Sequence, residues 1–320
     1  MRVLVTGATG KVGYALALAL LERGDEVRAL VRDPVRASLP AGVEPVRGDV
    51  RDTESLVAAV RGCELVFNAM GLPEQWLPDE RTFHEVNAVG SENVARAARA
   101  AGVRRLVHTS TIDVFHARSG TRFDESEVAS YPKGTAYERS KQDAERLVLD
   151  AGGGIEIVMV NPAGVYGTGP ARPGGLEHDL FRPLVRGRLP LVPPGGMGVC
   201  FSEGAAAGHL LAADKGRPGQ RYILCDRHVT MRELAETVVR VAHRGRVPPG
   251  LRPRPAKLLA GGGALLSRGI RRPPLLPSGQ LHFLLWNAQP DSSKAQDELG
   301  WEPTALEDGV RRTLEAMGVA

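Results

Sequence analysis

Cysteine is scarce and scattered. The three cysteines, Cys63, Cys200 and Cys225, are odd in number and lack the close spacing of a zinc knuckle, which excludes a disulfide framework and leaves no metal site to expect. Long apolar runs are missing as well, since none approaches the roughly 18 residues of a membrane span. The nearest, Lys257 to Leu266, holds three glycines and is flanked by Arg252, Arg254 and Arg268; it reads as an amphipathic or substrate-covering helix. The N-terminus lacks a basic stretch followed by a long apolar segment, so no secretory leader is expected. Charge of one sign is not in excess: 41 basic residues stand against 37 acidic ones. The basic residues fall in singles and pairs such as Arg104-Arg105, Arg271-Arg272 and Arg311-Arg312, which is not a nucleic-acid stripe. No internal repeat is visible. These absences leave a soluble, cytoplasmic chain, and 320 residues suit one two-lobed enzyme.

What is present is an alternation. Arg2–Thr6, Glu26–Val31, Val43–Arg47, Leu65–Asn68, Arg105–Thr109 and Glu156–Asn161 are short, β-branched and closed by polar or turn residues, as strands are. Helical patterns lie between them at Lys11–Arg23, Thr53–Val60, Phe83–Ala101 and Tyr137–Asp150. Strands alternating with helices predict an α/β fold, a doubly wound parallel sheet covered on both faces. After Asn161 the texture turns to Gly/Pro-rich segments such as Gly167–Gly175 and Pro190–Gly198, with a short apolar run at Tyr222–Leu224. This predicts a dinucleotide-binding lobe over 1–165 and a mainly substrate-binding α/β lobe over 166–320, some segments of which return to the first sheet. Thr230 to Glu233 and Thr304 to Glu307 match the capping box and predict helices over Met231–His243 and Ala305–Met317. Arg244–Pro277 is assigned only loosely.

The first strand runs at once into Thr6-Gly7-Ala8-Thr9-Gly10-Lys11-Val12-Gly13 and then an apolar helix. Glycines allow the sharp turn and the close approach of backbone to a pyrophosphate, and the helix N-terminus supplies N–H groups and positive potential. In this position they predict a Rossmann-type dinucleotide site with Gly7, Thr9, Gly10, Lys11, Val12 and Gly13 against the cofactor. Strand two ends in Arg32-Asp33-Pro34. A carboxylate there suits the ribose of NAD; an Arg suits the 2′-phosphate of NADP. Asp33 before Pro34 reads instead as the N-cap of a following helix, so Arg32, helped by Arg36 and Lys11, favours NADP, with NAD possible.

Tyr137-Glu-Arg-Ser-Lys141 puts a phenol and an amine at i and i+4, on one helix face. Bringing a tyrosine from a pKa near 10 to neutrality needs about 4 kcal/mol, which one ammonium about 4 Å away supplies at an effective dielectric of about 20. With the glycine turn upstream and the hydroxyls of Thr109-Ser110-Thr111 ending strand five, these elements resemble the short-chain dehydrogenase/reductase superfamily in its extended branch, the NAD-dependent epimerase/dehydratases. Gly48-Asp49-Val50-Arg51-Asp52, Val66–Gly71, Val86–Gly90 and Asn161–Gly167 look like successive family signatures, and Val27–Pro34 with Asp291–Ala295 and Glu298–Trp301 look most like dihydroflavonol reductases, 3β-hydroxysteroid dehydrogenases and hopanoid-associated epimerase-like proteins.

The resemblance implies Asp49 and Val50 beside the adenine, Ala69, Met70 and Gly71 along ribose and pyrophosphate, Thr109 as a strand-end contact, and Pro162 with Val165 near the nicotinamide. It implies Thr111 as the catalytic hydroxyl, Tyr137 as proton donor and Lys141 as the group that lowers its pKa and binds ribose. Asn68 stands where relatives carry His, and Phe201-Ser-Glu-Gly204 replaces a paired-carboxylate segment, for which Glu203 is a partial substitute. The expected reaction interconverts a ketone and a secondary alcohol on a bulky, largely apolar molecule, with Trp76, Phe115, Tyr166, Phe181 and His178 as pocket candidates. A nucleotide-sugar epimerase or dehydratase retaining NAD, and a non-catalytic dinucleotide sensor, are the alternatives. Small residues Ala88, Ala95, Ala97, Ala98 and Ala101, together with the Tyr137 helix, suit a homodimer interface; internal packing is the other reading.

Overall fold

A computed structural model of the chain describes residues 1–270, 272–274 and 276–319; Arg271 of the Arg271-Arg272 pair lies outside them. The first half builds β1 (Arg2–Thr6), α1 (Lys11–Glu22), β2 (Glu26–Val31), β3 (Glu44–Arg47), α2 (Thr53–Val60), β4 (Leu65–Asn68), α3 (Arg81–Phe83), α4 (Gly90–Ala100), β5 (Arg105–Thr109), β6 (Arg122–Phe123), α5 (Ala136–Ala151) and β7 (Glu156–Pro162). Then come β8 (Gly164–Tyr166), α6 (Arg182–Val185), β9 (Gly196–Phe201), α7 (Ser202–Lys215), β10 (Arg221–Leu224), β11 (Arg227–Thr230), α8 (Met231–Ala242), α9 (Pro253–Ile270), α10 (Ser278–Trp286), β12 (Gln289–Pro290) and α11 (Leu306–Ala316).

Strands β10-β7-β5-β4-β1-β2-β3 pair in that order into one sheet, every pair parallel. The chain order reverses between β1 and β4, which opens a crevice at their carboxyl ends. Alternation divides β1 between two cores: Val3 and Val5 pack with Leu16 and Leu20 of α1 and Ala206 and Ala212 of α7, while Leu4 packs with Leu56, Val94 and Val148 of α2, α4 and α5. The apolar run at Tyr222–Leu224 is β10, an edge strand of this sheet, so α7 and β10 complete the first lobe from the second half of the chain. The other layer is a three-stranded sheet, β11-β9-β8, whose core joins Tyr166, Phe181 and Phe201 to Leu234, Val238, Val310 and Leu314 of α8 and α11.

Four local expectations change. Phe83–Ala101 is not one α-helix: His84–Val89 forms a π-helical turn between α3 and α4, and its Asn87 side chain turns inward to bond the backbone of Leu72. Asp33 opens no helix; its carboxylate accepts from Val35 N–H in a turn. Thr304 does not cap α11, because Ala305 is the N-cap and Thr304 N–H is taken by Asp226. Thr230 does cap α8, but Glu233 reaches Arg227 instead of closing a box. The full capping box belongs to Thr135 and Glu138, at the start of α5.

Candidate active site

At one end of the crevice, β1 turns into α1. Gly7 sits at φ +76, and a Cβ there would lie 2.5 Å from the Ala69 carbonyl of the β4 end, so only glycine lets the two strand ends close up. Beneath the turn, Thr6 hydroxyl donates to Asn68 (2.6 Å), whose amide meets His108 at 3.1 Å; Asn68 thus spans three strands. The first turn of α1 has no side-chain cap and no acidic residue; Gly10 N–H is taken by Gly7 carbonyl (2.8 Å), leaving the N–H groups of Lys11, Val12 and Gly13 as the free donors of the helix start. Thr9 carbonyl accepts from Arg172 (2.7 Å). The Lys11 ammonium donates to Gly167 carbonyl (2.9 Å) and pairs with buried Glu177 at 3.1 Å. Its charge is used to tie the two lobes together.

At the ends of β2 and β3, Arg32 is exposed, Arg36 is 88% exposed and loosely paired with Asp33 at 3.6 Å, and Arg51 clamps Asp49 through both carboxylate oxygens (3.0 and 2.9 Å). That bond, with Arg32 adding to it, holds the Asp49 carboxyl below its ordinary range. Val50 is buried under Gly90, with Asn93 holding its carbonyl at 3.0 Å. Ala69 and Met70 are half-buried, Gly71 is exposed, Pro162 is buried and Val165 half-buried, all along the strand ends. A Cβ on Gly71 would stand 3.3 Å from Lys141 Nζ and 3.5 Å from Asn87 Oδ1. Without a side chain, the backbone at Gly71 lies close to the Lys141 amine and the Asn87 amide. An uncapped helix start, a bare backbone at Gly71 beside Lys141 and a cluster of arginines together fit a dinucleotide phosphate and ribose.

At the other end, the capping box fixes the entry into α5 and hence the direction of Tyr137 and Lys141. Lys141 is buried and donates to Thr109 carbonyl (2.9 Å); burial pushes its pKa down to about 8 against the pull of Glu145 and Asp113. Thr109 hydroxyl meets His209 Nε2 at 2.8 Å, so this residue is held on both sides. Tyr137 is half-buried, edge-on to Phe83 (6.1 Å) and Phe283 of α10 (6.2 Å). Its phenol is not brought toward neutrality. Burial, then the carboxylates of Asp113, Glu74 and Glu138, push it upward, with the neighbouring Thr111 hydroxyl working the other way. The reason is the company it keeps: the buried charges around it are mostly acidic.

Thr111 donates to Asp113 at 2.6 Å, so its one hydrogen points at a carboxylate. Asp113 is itself buried, and desolvation, with Glu138 adding to it, raises its pKa to about 6. Glu138 stays below its usual range through His282, Thr135 N–H and Lys133; the ion pairs measure 3.6 Å to His282 and 3.6 Å to Lys133. Glu74, on the loop after β4, is raised to about 7 by burial and then Asp113 and Glu138. Its carboxyl lies against Gly279 at the start of α10, and one oxygen is buried without a hydrogen-bond partner.

Sequence reasoning missed Arg51, Glu74, Asn87, Asp113, Lys133 and His282. Asp113 alone left a local signal, the carboxylate two residues past Thr111. Among the expected pocket residues, Phe115, Tyr166 and Phe181 are core, Trp76 is half-buried, and His178 is exposed and pairs with Asp179 at 2.5 Å. Glu203 joins Thr168 (3.1 Å) to Arg312 and so links the loop after β8 to α11. Ala88, Ala95, Ala97 and Ala98 are buried within the chain, serving internal packing, whereas Ala101 is exposed. No cluster of metal-ligating side chains occurs among the described residues.

A model of the "NAD dependent epimerase/dehydratase family" matches residues 3–225. Sterol demethylase protein B of Methylococcus capsulatus is 32% identical over 315 residues, 95% of this chain and 94% of that protein. A 4-hydroxy-2-methyl-3-oxo-4-farnesyl-3,4-dihydroquinoline-1-oxide ketoreductase of Stigmatella aurantiaca is 34% identical over 235 residues, 71% of this chain and 68% of that protein. The structure of Thermus thermophilus UDP-glucose 4-epimerase in complex with NAD superimposes with a TM-score of 0.79 at 24% identity, covering 100% of both chains.

Proposed function

The chain belongs to the NAD dependent epimerase/dehydratase family, an NAD(P)-dependent extended short-chain dehydrogenase/reductase, and from that premise we propose that it reduces a bulky, largely apolar ketone to a secondary alcohol with NADPH. The observation that carries this reading is the side-chain-free backbone at Gly71, which lies close against the Lys141 amine, one helical turn from Tyr137 on α5. The α1 N-terminus, Ala69 to Gly71, Val50 and Lys141 would hold the dinucleotide, with Pro162 and Val165 at its inner end. Arg32, Arg36 and Arg51 would take a 2′-phosphate, offsetting Asp49. When bound, the reduced nicotinamide supplies the hydride.

Tyr137 supplies the proton. A phenol pushed above its usual pKa is fully protonated at neutral pH, and the alkoxide that grows during reduction is a stronger base still, so transfer runs from phenol to oxygen. Lys141 keeps a positive charge beside the site at neutral pH, being half-titrated only near 8. Thr111 acts under the control of Asp113. While Asp113 is a carboxylate it claims the Thr111 hydrogen, and the hydroxyl offers lone pairs to a substrate alcohol or to Tyr137. Protonated, Asp113 releases that hydrogen toward a ketone oxygen. The rings of Phe83 and Phe283, the acidic surroundings that disfavour an anionic group, and the sterol and farnesyl names of the relatives support an apolar, uncharged substrate. A cytoplasmic homodimer, and division of labour between residues 1–165 and 166–320, belong to the same proposal.

A panel of ketones and secondary alcohols, assayed with NADPH and NADH at 340 nm, tests it. The expected result is NADPH oxidation with apolar ketones, lowered about a hundred- to ten-thousandfold in Tyr137→Phe with NADPH affinity little changed. Retained NAD with no net absorbance change on a nucleotide sugar would replace this reading with epimerisation; a nucleotide-binding protein inert across the panel would replace it with a sensor.

A further inference from the structure

From Thr237 to Pro290 the chain holds nine Lys or Arg residues and not one Asp or Glu, although the whole molecule is nearly balanced. The middle of this stretch is α9. Its inner face is set by Ala256 and Ala260, which pack with Leu281 of α10 and with Leu251, Leu276 and Leu285. About 180° round the helix stand Arg254 and Leu258, then Gly261 and Gly262, whose added Cβ atoms would meet nothing within 4 Å. Leu258 is 77% and Leu259 59% exposed, and Lys257 is exposed between Arg254 and these leucines. Arg252, Arg254 and Lys257 are exposed and form no ion pair with a described residue, unlike Arg240 with Glu307 and Arg311 with Glu315.

Adjacent exposed leucines ringed by unpaired cations, with no acid within reach along the sequence, complement a surface that is apolar just below and anionic just above. We propose that the outer face of α9 docks on an anionic lipid bilayer, its leucines entering the headgroup boundary and its arginines and lysine meeting lipid phosphates. The attachment is peripheral, since no helix among the described residues is long and apolar enough to cross a membrane. The same layer covers the cleft: α9 packs on α10, and α10 presents Phe283 to Tyr137 at 6.2 Å and His282 to Glu138 at 3.6 Å. Docking therefore sets the catalytic cleft at the water–lipid boundary, where an apolar ketone accumulates. This last step rests on the substrate proposed above; the docking itself does not.

The test is sedimentation of the full chain with phosphatidylcholine vesicles and with vesicles containing about one-third phosphatidylglycerol. Binding is expected to the anionic vesicles alone, to fall by at least about tenfold at about 0.5 M salt, and to fall by at least about tenfold in Leu258→Glu/Leu259→Glu, a variant that retains wild-type turnover on a water-soluble ketone. No binding to anionic vesicles, equal binding to both kinds, or unchanged binding by the variant would overturn the proposal. So would light scattering that finds the wild type dimeric and the variant monomeric without lipid, which would assign the face to a second copy. Vesicle binding by a protein inert toward every ketone would leave the docking intact and remove the reductase reading.

Discussion

At the glycine-turn end of the cleft the positive potential comes from backbone N–H groups and from arginines at the surface; at the Tyr137 end the charges are buried and mostly negative. Arg32, Arg36, Asp49 and Arg51 stand within twenty residues of one another and face solvent, where each pair is worth at most about 1 kcal/mol. Asp113, Glu74, His282 and the Lys133/Glu138 pair come from four separate segments, and all but the exposed His282 are wholly or partly withdrawn from water, where desolvation moves Asp113 to about 6 and Glu74 to about 7. The contrast is between a surface end whose parts can be changed singly and a buried end whose charges act on one another.

The coupled end should respond most. Asp113→Asn removes the carboxylate that raises the Tyr137 phenol most, so the phenolate becomes easier to form and the alkaline limb of the pH–rate profile moves to lower pH. It also leaves Thr111 a neutral amide oxygen in place of a carboxylate as acceptor, so the limb that follows Asp113 near pH 6 should disappear. A profile that keeps its limbs while the rate falls would reduce Asp113 to a packing role. At the surface end the effect is smaller and selective: Arg32→Ala should weaken NADPH about tenfold, roughly 1.4 kcal/mol, and leave NADH unchanged. Equal weakening of both cofactors would remove Arg32 from the 2′-phosphate and blur the comparison.

The same contrast explains what could be read in advance. The strands of the large sheet are buried on both faces and closed by turn residues, so β1, β2, β4 and β5 were predicted to the residue. The glycine turn is legible because its requirement, a backbone without Cβ, is met by adjacent residues. The π-helical turn at His84–Val89 was not, because it depends on Asn87 reaching Leu72, fifteen residues away. The acidic cluster was not either: Glu74 and His282 are 208 positions apart, and nothing local marks either one as a neighbour of Tyr137. The Lys11–Glu177 ion pair is not legible either, because its acid comes from the second lobe. Local chemistry announces itself in sequence; charge pairs made by folding do not.

Glu74 gives the least expected effect and the sharpest sign. Its carboxyl titrates near 7 in the folded chain and near its ordinary 4.5 when unfolded, so between those values the folded state binds more protons. The stability it contributes is complete below about pH 4.5 and is lost as pH rises through 7. The full shift would correspond to about 3 kcal/mol at 1.36 kcal/mol per unit, and water reaching this half-buried group brings that to about 1–2 kcal/mol. Glu74→Gln keeps the shape and stays neutral, so denaturation should find it more stable than wild type by that amount at pH 8 and equal to it near pH 4.5. Asp113 titrates in the same range but is common to both proteins, so the difference isolates the Glu74 carboxyl. If the two proteins differ equally at both pH values, the loop after β4 is held against α10 by shape alone, and the carboxylates around Tyr137 do not titrate as one group.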